Sequence, residues 1–175
     1  IQCLVLKHTP KKFETYEDEI QYLIGNERRN KFISKLSIDL KGNTLILYSR
    51  VESHGRILYD MINNFVTNDR KVFFIHGGVD AEDREKVREI TEQENNAIIV
   101  ASYGTFSTGI NIRRLHNVIF ASPSKSRVRN LQSIGRVLRK GKDKVKAKLY
   151  DIADDLTSGA RTVSYTHLTL PTTDR

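Results

Sequence analysis

Short aliphatic and aromatic runs of strand length recur along this chain, separated by stretches whose apolar residues repeat at helical spacing. The runs are Gln2–Lys7, 44–49 (TLILYS), 71–75 (KVFFI), 97–102 (AIIVAS), 117–122 (NVIFAS) and 146–152 (KAKLYDI). Between them, Ile20, Leu23 and Ile24, then Phe32, Ile33, Leu36 and Leu40, fall on helical faces. Gly42-Asn43 ends that second group with a helix-stop signal. Ile57, Leu58, Met61, Ile62 and Phe65 mark another helix. Asp80 is placed to cap the next, with Val87 and Ile90 inward and Glu82, Asp83 and Glu85 near its positive end. Residues 125–140 read as a further helix. Strands alternating with helices of this length predict right-handed βαβ units. Near-continuous apolar strands predict a sheet covered on both faces. The expected fold is α/β: a parallel sheet flanked by helices, three layers deep.

A chain of 175 residues, 38% hydrophobic and 29% charged, fits one domain of ordinary size with a buried core. The longest apolar runs, such as 97–101 and 118–121, are too short to cross a bilayer, and no charged-then-apolar leader opens the sequence. No membrane partner is expected. A single cysteine, Cys3, excludes an internal disulfide framework and points to a reducing cytosol. His8, His54, His76, His116 and His167 are scattered without cysteine companions, so no metal site is expected. The formal net charge of +8 favours a polyanionic partner, nucleic acid first.

Both ends stand apart. Residue 1 is Ile, which predicts that the true start lies upstream. From 162 to 173 there is no formal charge, and 163–168 (VSYTHL) resembles the translation of a transposon-end adapter used in sequencing libraries. Residues 157–175 are expected to form a disordered tail, adapter-derived from about 163. The expected division is a strand and helical lead-in over 1–43, the principal domain over 44–156, then that tail.

In an open parallel sheet, ligands gather at the carboxyl ends of the strands, here 49–55, 76–80, 102–111 and 122–127. The strongest signal lies just beyond the last of these. Gln132, Gly135, Arg136 and Arg139 form a Q-x-x-G-R-x-x-R pattern that falls on one side of a predicted helix. Leu131, Ile134 and Leu138 make a neighbouring stripe able to anchor it. Two guanidiniums a turn apart beside a glycine leave an opening for a polyphosphate, since arginine's planar fork donates twice and keeps its charge.

A second signal, 101–111 (ASYGTFSTGIN), follows a strand as a predicted loop. Its hydroxyls at Ser102, Ser107 and Thr108, its glycine at Gly109 and its amide at Asn111 suit close approach to phosphate or ribose. His76 and Gly77, near Asp80 and Arg84, form a third. Basic density at Lys125, Arg127 and Arg129, and again from Lys140 to Lys148, is a fourth. A P-loop is missing: the nearest spacing, Gly135 to Gly141-Lys142, is one residue too long and runs into Asp143. The chain can grip phosphates without assembling an ATPase centre alone.

The order of these segments resembles the second RecA-like domain of superfamily-2 helicases. Gln132, Gly135, Arg136 and Arg139 match that family's motif VI; 101–111 looks like motif V, 45–49 like motif IV, and His76-Gly77 like the short segment between those two. The strings VASYGTFSTGIN and LQSIGRVLRKG are most similar to UvsW-type recombination helicases of T-even phages.

The resemblance implies ATP bound in a cleft between two RecA-like domains, with the P-loop and Mg2+ held by an N-terminal domain for which 1–43 is the lead-in. Arg139 is then the arginine finger, Arg136 its partner, and Gln132, Gly135, Gly109 and Asn111 line the nucleotide. Many relatives carry Asp where Asn111 stands. Ser102, Ser107, Thr108, His76, Gly77, Lys125 and Arg127 would touch a nucleic-acid backbone, DNA rather than RNA, branched or single-stranded. The implied role is recombination and repair, in the host cytoplasm if phage-encoded. A non-catalytic nucleic-acid-binding module, an RNA helicase or a restriction-enzyme motor shares these motifs.

Overall fold

The computed structural model describes residues 2–67, 70–109, 112–122 and 148–156, with 107–109 described by backbone alone. Six strands, β1 (Gln2–Lys7), β2 (Thr44–Tyr48), β3 (Val72–Ile75), β4 (Ile98–Ser102), β5 (Asn117–Phe120) and β6 (Lys148–Asp155), lie parallel in the order β1-β6-β5-β2-β4-β3. Around them stand α1 (Tyr16–Gly25), α2 (Glu27–Asp39), α3 (Ile57–Phe65), α4 (Ala81–Gln93) and α5 (Tyr103–Gly109).

Alternation along the strands divides the core in two. Leu45 and Leu47 of β2, Ile99 and Ala101 of β4, and Val118 and Phe120 of β5 face Tyr103 and Phe106 of α5, with Val87 of α4 packed against them. Ile46 and Tyr48, Ile98 and Val100, and Ile119 face Ile33 of α2 and Leu58 and Ile62 of α3. The expected three layers are therefore present. Each fully buried Leu or Ile contributes about 1.5–3 kcal/mol, and β2, buried at all five positions, is the sheet's centre.

Local chemistry sets the helix ends. Thr15 caps α1 by accepting from the Asp18 N–H at 3.1 Å. Asn26 closes α1 through its own N–H on the Leu23 carbonyl and opens α2 by accepting from the Arg29 N–H at 3.0 Å. Gly42 adopts φ +92°, a conformation other residues enter only with strain. Asn43 follows as a hub: its Nδ2 donates to the carbonyls of Thr91, Glu94 and Arg114, and its Oδ1 accepts from the Ala97 N–H.

Several expectations need correcting. Residues 103–109, read as loop, form α5, because buried Tyr103 and Phe106 anchor a stretch of weak helix formers to the core. β6 runs to Asp155, three residues past its predicted end. Asp80 occupies the N-cap position of α4 without a side-chain capping bond. The inward face of α2 is largely polar: Arg29, Asn30, Ser34 and Ser37 are buried beside Ile33, while Phe32 and Leu36 are only half-buried.

Candidate nucleotide and nucleic-acid interface

The carboxyl ends of the strands stand level. Ile75, Ala101 and Leu47 are register partners across β3, β4 and β2, and Leu47 pairs with Phe120 of β5. His76, Ser102 and Tyr48 therefore follow in a row, on strands about 4.8 Å apart. Of the predicted segments 49–55, 76–80, 102–111 and 122–127, the described parts, 49–55, 76–80, 102–109 and Ser122, meet on one rim, and 110–111 and 123–127 lie outside the described residues.

After β2 the chain enters one wide helical turn, Val51–Arg56, closed by the Gly55 N–H donating to the Arg50 carbonyl at 2.9 Å. Gly55 lies directly over the Tyr48 ring, where a Cβ would come within 2.5 Å of it. The Tyr48 hydroxyl donates to the Ile75 carbonyl at 2.9 Å, tying β2 to β3, and burial raises its pKa. Phe74 stacks on Tyr48 and packs against Tyr59 and His76, and the Arg56 guanidinium stands 4.6 Å from the Phe74 ring centre. His76 Nδ1 accepts from the Gly78 N–H at 3.1 Å. A Cβ at Gly77 would meet no described residue within 4 Å.

Ser102 caps α5: its Oγ accepts from the Thr105 N–H at 3.2 Å and lies 2.7 Å from Thr105 Oγ1. Their mutual bond uses one hydroxyl proton and leaves the other for an outside acceptor. Tyr103 is buried, its phenol pKa raised chiefly by burial and then by Asp151, and its hydroxyl donates to the Ser122 carbonyl at 3.2 Å.

Beneath the rim is a polar network that the motifs did not disclose. Ser122 Oγ accepts from the Ser49 N–H at 3.1 Å and lies 2.6 Å from His54 Nδ1; His54 Nε2 lies 3.2 Å from Asn30 Oδ1. Asn30 Nδ2 donates to the Ile24 carbonyl, which makes Oδ1 the acceptor. His54 must then carry its proton on Nε2 and accept from Ser122 at Nδ1. Burial, followed by the Arg29 charge, lowers its pKa to about 3, so it stays neutral. Arg29 Nε donates to both Asp154 oxygens, and His8 Nε2 lies 2.8 Å from Oδ1. The two Nη atoms of Arg29 are buried without a hydrogen-bond partner among the described residues. The network joins the exits of β1, β2, β5 and β6 to the first turn of α2. Buried polar residues at helical spacing in α2 were the signal for it.

Ser102, His76 and Gly77 are thus on one rim, and Ser107, Thr108 and Gly109 lie in α5. Asn111, Lys125, Arg127, Gln132, Gly135, Arg136 and Arg139 lie outside the described residues. Among the described residues no group of three His, Cys, Asp or Glu side chains could hold a metal ion, and no helix is long and apolar enough to cross a membrane.

Residues 27–141 match the model of the helicase conserved C-terminal domain. Over 149 residues the chain is 42% identical to the ATP-dependent DNA helicase UvsW of Enterobacteria phage T4, covering 83% of this chain and 29% of that protein. The crystal structure of T4 UvsW superposes with a TM-score of 0.75 at 36% identity, covering 94% of this chain and 36% of that one. Domain 2 of the DEAD-box helicase Mss116p, bound to an RNA duplex, gives 0.59 at 14% identity over 87% of this chain and 54% of that one, a likeness of fold alone. The chain spans about a third of the length of the T4 protein. On these grounds it belongs to the helicase conserved C-terminal domain family, the second RecA-like domain of superfamily-2 helicases.

Proposed function

We propose that this chain is the second motor domain of an ATP-dependent DNA helicase or branch-migrating translocase of recombination and repair, working in the host cytoplasm across a cleft from a first RecA-like domain. The observation that carries this reading is the 42% identity to a DNA helicase over 149 residues. The first domain would hold Mg2+. ATP, when bound, supplies the phosphoryl group that is transferred. Arg136 and Arg139 would donate to its oxygens, with Gln132 in support, Gly135 leaving room, and Gly109 and Asn111 lining the nucleotide. Charge spreads over those oxygens as transfer proceeds, and a positioned arginine accelerates such steps by about 10³–10⁵, or about 4–7 kcal/mol.

The rim supplies the other grip. The Ser102–Thr105 pair has one proton to give a phosphate, Gly77 leaves room for a backbone to approach, and His76, Ser107, Thr108, Lys125 and Arg127 complete the contacts. Backbone contacts carry little sequence information, so binding should be sequence-indifferent. Because the arginines engage only when the cleft closes, hydrolysis is tied to domain motion.

In a protein that joins this chain to its first motor domain, Arg139→Ala should cut ATP turnover by about 10³ or more and leave DNA binding nearly unchanged. The chain alone should show no appreciable ATPase. Near-normal turnover in the variant, or robust turnover by the chain alone, overturns the reading.

A further inference from the structure

Helix α2 meets two different surroundings. Its inward side is buried at Arg29, Asn30, Ile33, Ser34 and Ser37. Its outward side carries Arg28, Lys31 and Lys35, all exposed, which line a shallow depression with Glu27 and half-buried Phe32. Glu27 holds Lys31 at 2.6 Å. Arg28 and Lys35 have no carboxylate partner among the described residues. On α4, Lys86 is neutralised by Glu82 and Asp83 and Arg88 by Glu85, whereas Arg84 has no carboxylate partner among the described residues. Two uncompensated cations in line on a rigid helix are complementary to a polyanion.

Seven residues separate Arg28 from Lys35, about 10 Å of helix axis. A B-form duplex presents about six phosphate charges over that length. Phe32 is half-buried with its ring packed against the core, so the face offers three cations and one partly covered ring. A face on which charge outweighs stacking surface fits a duplex backbone rather than a single strand. The first turn of α2 lies at the carboxyl edge, where Arg29 and Asn30 reach Asp154 and His54. The cationic line starts beside the candidate site and runs away from it.

We infer that the outer face of α2 is a duplex-DNA surface, along which one arm of a substrate held at the rim lies against Arg28, Lys31 and Lys35. The inference rests on the nucleic-acid reading above and adds a separate surface to it.

The test uses the 175-residue chain. Two fluorescent probes, a duplex of about 20 base pairs and a single strand of the same length, are titrated by anisotropy between about 50 and 200 mM salt. Arg28→Glu/Lys35→Glu should flatten the duplex slope of log affinity against log salt by about two and change single-strand binding by less than about twofold. Arg28→Gln/Lys35→Gln, which adds no acid beside Glu27, should flatten it equally. Lys41→Glu/Lys148→Glu, removing the same charge from the opposite edge of the sheet, should leave the slope unchanged. Equal flattening by both pairs, or by neither, overturns the duplex surface and leaves the proposed function standing. A parent chain that binds neither probe overturns both.

Discussion

Arg29 Nε donates to the two carboxylate oxygens of Asp154 at 2.9 and 3.0 Å, joining the first turn of α2 to the last strand across 125 residues of sequence. Both side chains are buried, and His8 shares the same carboxylate. Burying an ion pair costs desolvation that the attraction only partly offsets, whereas removing one member leaves a buried charge alone.

Arg29→Ala should therefore lower unfolding free energy by about 3–5 kcal/mol in urea titrations. Arg29→Met combined with Asp154→Leu should cost clearly less than the sum of the two single changes. Additive losses would show that the two residues act independently.

Acid stability should report on His54. Unfolded, it takes up a proton near about 6.5; folded, burial and then the Arg29 charge hold it to about 3. Between those values the unfolded chain binds the extra proton, so stability from this group is intact above about 6.5 and is lost as pH falls toward 3. The slope approaches about 1.4 kcal/mol per pH unit. Denaturant midpoints from pH 7 down to about 4 should fall more steeply for the parent than for His54→Gln. Identical slopes would assign the acid sensitivity to other groups.

Gly55 offers a steric test. An alanine there would put its Cβ 2.5 Å from the Tyr48 ring, which is held by Phe74 on one side and by its bond to the Ile75 carbonyl. Gly55→Ala should cost about 1–3 kcal/mol, read as a lowered melting temperature. Adding Tyr48→Val should recover part of that loss, because it removes the ring. Failure of the double variant to recover would place the cost in the backbone.

The strands were legible because β2, β4 and β5 are unbroken aliphatic runs, a pattern that only a sheet covered on both sides requires. Helix α5 was not: Tyr-Gly-Thr-Phe-Ser-Thr-Gly reads as loop by propensity, and only the burial of Tyr103 and Phe106 makes it helical. The rim at His76 and Ser102 followed from the rule that ligands gather at strand ends. The network beneath it did not, because Asn30, His54 and Ser122 are distant in sequence and the inward face of α2 was assigned to apolar residues alone. His54 was visible as one of several isolated histidines, and isolation argued against a zinc site without revealing a buried hydrogen-bonding role. Likewise Gly42-Asn43 was read as a helix stop, while the five bonds Asn43 makes through its N–H and amide hold four segments at the opposite edge.

The position of β1 has a consequence for how the molecule is made. Its sole neighbour among the described strands is β6, which begins at Lys148. A ribosome delivers Gln2–Lys7 before the other described strands, yet its partner β6 is the last of them to emerge. The central strands can assemble while it waits, so of the described strands the one made first is among the last to find its place.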